Sequence, residues 1–309
     1  MAFVSRVSVI ASSIRMVTRP SVLNLQNASG SGGSHSASGN LYNGFSGSNC
    51  RILIFFPSAM FIPLSVLDTS SLPKGSSLGE HLGDCLSKTE IRSLAQCLYS
   101  GAEPAIHSPD PGRPPLNHDD LRAFVSNFVL PHAADRLPLK QNDRIMVVLP
   151  PGPENAVALL ALANYHSCAP INASCTAIEL KDDALRLQAK AIITSKNIGK
   201  RLNLESLREE LSCQIFYING RILGPAGLFD VLMPEDTDVV ISSRPAEAHG
   251  LDDVSLILHT SGTSGKKKVV RYSLRTLLVG TWCIVHSWDL KPVDINCMRR
   301  LCFRNANIR

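Results

Sequence analysis

Short apolar runs alternate with amphipathic segments along the middle of this chain. Ile145–Leu149, Ala191–Thr194, Gln214–Ile218 and Val254–Leu258 have the length and branching of buried strands. Between them, Glu154–Tyr165, Glu179–Gln188 and Leu202–Leu211 carry apolar residues at helical spacing, and Ala169–Asn172 is extended. Strands and helices alternating at this spacing predict an α/β fold with a doubly wound parallel sheet. Upstream, Glu80–Tyr99 predicts one or two short helices. Ala105–His107 reads as a short extended piece, and Asn117 or Asp119 caps a helix running to about Leu130. Downstream, Gly224–His249 reads as a loop with one short strand, Val239–Ile241, and Ser273–Trp288 as an amphipathic helix.

The ends differ from the middle. Residues 1–49 are rich in Ser, Gly and Asn and lack acids, which is the composition of either a mitochondrial transit segment or a disordered tail. Ile52–Leu67 is apolar but broken by Pro57 and Pro63, too short for a membrane span. It reads as an extended cover or as a segment outside the functional unit. The expected division is a low-complexity tail over 1–71, the folded unit over 72–296 and a divergent tail over 297–309.

Composition adds three exclusions. The net charge of +5 comes from the ends: residues 1–67 hold four arginines and no acid, and 299–309 hold four more. Residues 68–298 have 23 basic against 26 acidic residues, which does not suit a nucleic-acid binder. Nine cysteines, an odd number and without a C-x-x-C pair, fit reduced thiols better than a disulfide framework or a zinc site. The expected location is cytoplasmic, or mitochondrial if the first residues are a transit segment.

The candidate chemistry lies where the strand Val254–Leu258 ends. The next residues are small and polar, and three lysines follow. Small residues let backbone N–H groups turn inward around an anion, Thr260, Ser261, Thr263 and Ser264 add hydroxyl donors, and lysine supplies charge. The same composition also suits an ordinary turn beside a solvated basic patch. The common P-loop spacing is absent, since Gly262 and Gly265 enclose two residues and Lys266 is followed by Lys267. His259 adjoins the loop and reads either as a phosphate contact or as local packing. His166 and His286 fall on predicted helices as surface or satisfied interior groups, and Cys168 and Cys175 as small buried side chains.

In order, Thr260-Ser261-Gly262-Thr263-Ser264-Gly265-x-x-Lys268 resembles the signature loop of the adenylate-forming enzymes, T-S-G-T-T-G-x-P-K-G. These include acyl-CoA synthetases, nonribosomal peptide adenylation domains and luciferases. Lys268 falls on the family lysine, while Lys267 stands for the Pro and Val269 for the final Gly. Asn142–Asn155 and Ala169–Asn172 resemble the scaffold segments of the same family, and the resemblance spans about 75–296. It implies the N-terminal domain of that fold, in part, with Thr260, Ser261, Gly262, Thr263, Ser264, Gly265 and Lys268 around the β- and γ-phosphates of ATP. It further implies magnesium, a carboxylic acid substrate, and coenzyme A or a carrier-protein thiol as acceptor. After Asn296 the family pattern stops. The family's acyl pocket, adenine segment, magnesium ligand, ribose-binding Asp and catalytic Lys have no counterpart to assign, so turnover by this chain alone is not expected. A sheet cut there is expected to leave an unpaired edge and an uncovered apolar face from Leu274 to Val285. A non-catalytic or regulatory fragment of an adenylation domain is the alternative.

Overall fold

The computed structural model describes residues 14–16, 52–55, 78–234, 238–241, 245–261, 267–287 and 295–301. Its strands are β1 (Ile14–Met16), β2 (Ile52–Phe55), β3 (Pro104–Ile106), β4 (Leu116–Asn117), β5 (His132–Ala133), β6 (Arg144–Val148), β7 (Ser167–Pro170), β8 (Ala191–Thr194), β9 (Gln214–Gly220), β10 (Phe229–Leu232), β11 (Val239–Val240), β12 (Val254–Ser261), β13 (Lys267–Ser273) and β14 (Ile295–Leu301). The helices are α1 (Leu78–Ser87), α2 (Leu94–Cys97), α3 (His118–Ser126), α4 (Pro153–Ala163), α5 (Ala177–Leu187), α6 (Lys196–Leu202), α7 (Leu204–Leu211) and α8 (Leu274–Ser287).

Seven strands form the main sheet in the order β10-β9-β8-β6-β7-β12-β13. The five from β9 to β12 run parallel. Each edge is finished by an antiparallel partner, β10 on β9 and β13 on β12. The chain steps from β6 to β7 on one side, then crosses past β6 to β8 and β9 on the other. This is the expected doubly wound α/β arrangement.

Side chains alternate across the strands, and both faces are covered. Ile145, Val147, Cys168, Ile193 and Phe216 pack with Leu82 of α1, Val125 of α3, Val157 of α4 and Leu278 of α8. Met146, Val148, Ala169, Ile192 and Ile215 pack with Leu180 and Leu187 of α5, Leu202 of α6 and Leu204 of α7. Near-continuous apolar strands are what a sheet buried on both faces requires.

Local signals set the helix ends. Pro153 occupies the first turn of α4, where its missing N–H costs nothing. Thr176 and Glu179 form a reciprocal capping box on α5. The helix expected over Leu202–Leu211 is present as α7, and a further helix, α6, precedes it. Asn203 sits between them at φ 51°, a left-handed conformation that Asn tolerates better than most residues and that ends α6. The expected loop Gly224–His249 holds an additional strand, β10, which pairs with β9 from Phe229 to Leu232.

A second sheet, β1-β14-β2-β3-β4, is antiparallel throughout. Of the tail expected over 1–71, residues 14–16 and 52–55 are described, and both are strands; the rest lies outside the described residues. The apolar face of α8 is not bare. Leu274 and Leu278 are fully buried and Val279 nearly so in the main core, Ile284 is buried as well, and the helix lies against α1. The expectation of an uncovered face is thus overturned, because α1 precedes the sheet in sequence yet folds back over α8.

His166 and His249 are buried at the amino ends of the strands. His166 Nδ1 lies 2.9 Å from Lys140 O, and His249 Nδ1 lies 3.2 Å from both Ala163 O and Ser255 Oγ. Burial lowers the pKa of both, His166 to about 4. The unfolded chain takes up these protons near pH 6.5, before the folded chain does, so stability falls as pH drops from 6.5 towards 4. For His166 alone the full shift corresponds to roughly 3 kcal/mol. Urea unfolding at pH 7, 5.5 and 4.5 should show this loss, and His166→Gln should flatten it.

Candidate functional site

The candidate loop is carried at the carboxyl end of the sheet. β12 runs parallel to β7, so Ser261 ends on the same side as the carboxyl ends of β6, β7, β8 and β9. In doubly wound sheets that side is where ligands gather. Gly262, Thr263, Ser264 and Gly265, with Lys266, lie outside the described residues. The structure places the flanks of the loop, and those flanks form a hairpin.

β13 was not expected. The chain leaves the loop directly into a strand, with Lys268 opposite Thr260, Val269 opposite His259 and Val270 opposite Leu258. The signal was present as Val269, Val270 and Tyr272, a β-branched and aromatic run, but the lysine triplet before it reads as a loop. The register has a direct consequence. Residues opposite one another across an antiparallel pair share a face, with Cβ atoms about 4.5–5.5 Å apart. Thr260 and Lys268 are thereby neighbours on the face that also carries Leu258. Ser261 and Lys267 are the adjacent ladder partners.

Thr260 is half-buried and Lys268 exposed. Among the described residues no carboxylate pairs with Lys268. A hydroxyl donor and a free cation on one face, at the mouth of a glycine-bearing loop, fit an anion. His259 lies on the opposite face, half-buried above Ile257 and across from Val269, which packs on the second core layer. Its placement agrees with local packing rather than with the Thr260–Lys268 face. Val269 also explains the departure from the T-S-G-T-T-G-x-P-K-G pattern: a β-branched residue suits a paired, half-buried strand where glycine does not. Among the described residues no three histidines, cysteines or acids converge as a metal site.

Residues 134–299, over half the chain, match the family model for AMP-binding enzymes. The chain belongs to the AMP-binding enzyme family. Among AMP-binding relatives, the acetyl-coenzyme A synthetase of Paraburkholderia phymatum is 27% identical over 201 residues, covering 58% of this chain and 29% of that protein. The acetyl-coenzyme A synthetase of Methanothrix thermoacetophila is 27% identical over 181 residues, covering 52% of this chain and 27% of that protein. Among solved structures, apo MatB from Rhodopseudomonas palustris aligns at 21% identity over 50% of this chain and 29% of that chain, with a TM-score of 0.38. The chain thus spans less than a third of the length of these relatives.

The packing role of Val269 is testable. Val269→Gly, which restores the glycine of the signature, should destabilise the protein by about 1–3 kcal/mol through lost burial and added backbone freedom. Urea unfolding at pH 7 measures it, and an unchanged midpoint would remove Val269 from the hairpin's support.

Proposed function

We propose that this chain forms the phosphate-holding part of an enzyme that uses ATP to activate a carboxylic acid, first as an acyl-adenylate and then as a thioester. The supporting observation is the register that sets Thr260 beside Lys268 at the mouth of the Ser261–Gly265 loop, in a chain of the AMP-binding family. That the relatives include acetyl-coenzyme A synthetases favours this reading.

In that reaction the carboxylate attacks the α-phosphorus and pyrophosphate leaves. Negative charge grows on the departing phosphates as the bond breaks. The Lys268 ammonium, the Thr260 and Ser261 hydroxyls, and the loop of Gly262, Thr263, Ser264 and Gly265 would hold those oxygens. Donors fixed in advance where charge develops lower the barrier without reorganising. Magnesium bound with the nucleotide would neutralise part of the phosphate charge. Coenzyme A or a carrier-protein thiol is the acceptor. The acidic balance of 68–298 argues against nucleic acid as a partner. No described helix is long and apolar enough to cross a membrane. The free thiols of Cys85, Cys97, Cys213 and Cys283 suit the reducing cytoplasm, or the mitochondrial interior if the arginine-bearing N-terminal segment is a transit sequence.

Calorimetry with MgATP tests the binding part. Lys268→Ala should weaken affinity by about 1.5–3 kcal/mol, the range for a hydrogen bond to a charged group. Lys266→Ala should weaken it less, and equal losses would reduce the site to a diffuse basic patch. Acid-dependent pyrophosphate exchange with mixed carboxylic acids then separates turnover from the alternative, in which the chain holds phosphate without catalysing.

A further inference from the structure

The hairpin is held along Ile257 and Val269 by the second core layer and at its root by polar contacts. β12 shares its ladder with β7 at Leu256↔Cys168, and from Ile257 to Ser261 its ladder partners belong to β13. β13 is the last strand of the sheet. With Leu256 opposite Cys168 and β7 ending at Pro170, only His259, Thr260 and Ser261 extend past β7 and pair with β13 alone.

The root is tied by one side chain and its neighbours. Leu274 N donates to Asp253 O at 3.0 Å, and Arg275 N donates to Leu251 O at 2.7 Å. These bonds close the chain entering β12 onto the chain leaving β13. The Arg275 guanidinium then meets the Asp252 carboxylate twice, Nε to Oδ1 and Nη2 to Oδ2, each at 2.8 Å. Its remaining nitrogen, Nη1, donates to Gly83 O at 2.7 Å and to Ser87 Oγ, both on α1. A Cβ at Gly83 would stand 3.5 Å from Arg275 Cδ, so the arginine stem lies close against the helix at a residue with no side chain.

The Asp252 side chain is 80% exposed and that of Arg275 26%. An ion pair so open to water adds little to global stability. A bidentate pair is nonetheless geometrically specific, and here its arginine is shared with a second element. The contribution is to orientation.

We propose that Arg275 is a positioning residue: through Asp252, Gly83 and Ser87 it fixes the root of the hairpin to α1 and thereby sets where the tip holds phosphate. The proposal rests on the nucleotide reading given above. Arg275 lies at the far end of the hairpin from Lys268 and acts through the strands between them.

The experiment is a double-mutant cycle in the full chain, with Arg275→Ala, Asp252→Ala and both together. Two quantities are read: amide exchange of peptides from β12 and β13, and the Kd for inorganic tripolyphosphate and MgATP. Each single variant should speed exchange in the hairpin while β6 and β8 keep wild-type protection. Affinity should fall by about 2- to 30-fold, the range that residues remote from a ligand command. The double variant should be no worse than Arg275→Ala, because both changes remove the same contact. Asp252, at its exposed position, keeps the cycle readable if Arg275→Ala folds poorly: faster hairpin exchange and weaker binding in Asp252→Ala alone support the proposal. Unchanged hairpin exchange overturns it, as does a double variant whose losses simply add. A wild type that binds neither probe overturns both this proposal and the nucleotide reading. A wild type that binds, with variants of equal affinity, overturns the positioning role alone.

Discussion

A parallel strand hidden on both faces is the constraint on which the rest of this molecule depends. β6 lies between β7 and β8, parallel to each. Parallel neighbours cannot be joined by a tight turn, so a helix must cross over each time. Because Ile145 and Val147 point one way and Met146 and Val148 the other, each face needs its own cover. α4 and α8 serve the first face and α5 to α7 the second. Crossovers of this kind bring every parallel strand out on the same side, β12 included. The loop after Ser261 is at the carboxyl end for that reason.

The hairpin β12–β13 converts separation in sequence into proximity. Thr260 and Lys268 are eight positions apart and become cross-strand neighbours. The same strand closes the sheet. An edge strand exposes unpaired backbone groups and invites pairing with another chain unless charge discourages it. Lys268 and Arg271 are both exposed on β13. One lysine therefore suits two demands, a cation for an anionic ligand and a charge on an open edge.

The buried polar contacts and the candidate loop sit at opposite ends of the strands. At the amino ends, the Asp253 carboxylate accepts from Gly250 N at 2.8 Å, Asn142 Nδ2 at 3.1 Å and Gln141 Nε2 at 3.3 Å, close to the buried imidazoles of His166 and His249. These bonds draw together the chain entering β6 and the chain entering β12. At the carboxyl end, Lys268 is left without an acidic partner among the described residues. Hydrogen bonding to a carboxylate at one end and, among the described residues, an unpaired lysine at the other suit a scaffold that presents a loop.

Much of this was legible in the chain. The apolar runs at 145–149, 191–194 and 214–218 marked strands because a strand buried on both faces has no room for polar residues, and the helices between them showed their own period. The order of Thr260 to Lys268 made that stretch the candidate for an anion loop, because few residue types can bring N–H groups, hydroxyls and charge together so closely. Other features required the fold. Asn203 ends the unexpected helix α6 through its left-handed backbone conformation, which composition does not reveal. β13 is a strand because β12 offers it a ladder; by themselves the three lysines read as a loop. The cover over α8 comes from α1, nearly two hundred residues earlier. Arg275 meets Asp252 just before β12 and Gly83 and Ser87 on α1, two stretches far apart in the chain. Local periodicity reports which face of an element is apolar. Only tertiary contact decides what lies against it, because that depends on segments distant in sequence arriving at the same place.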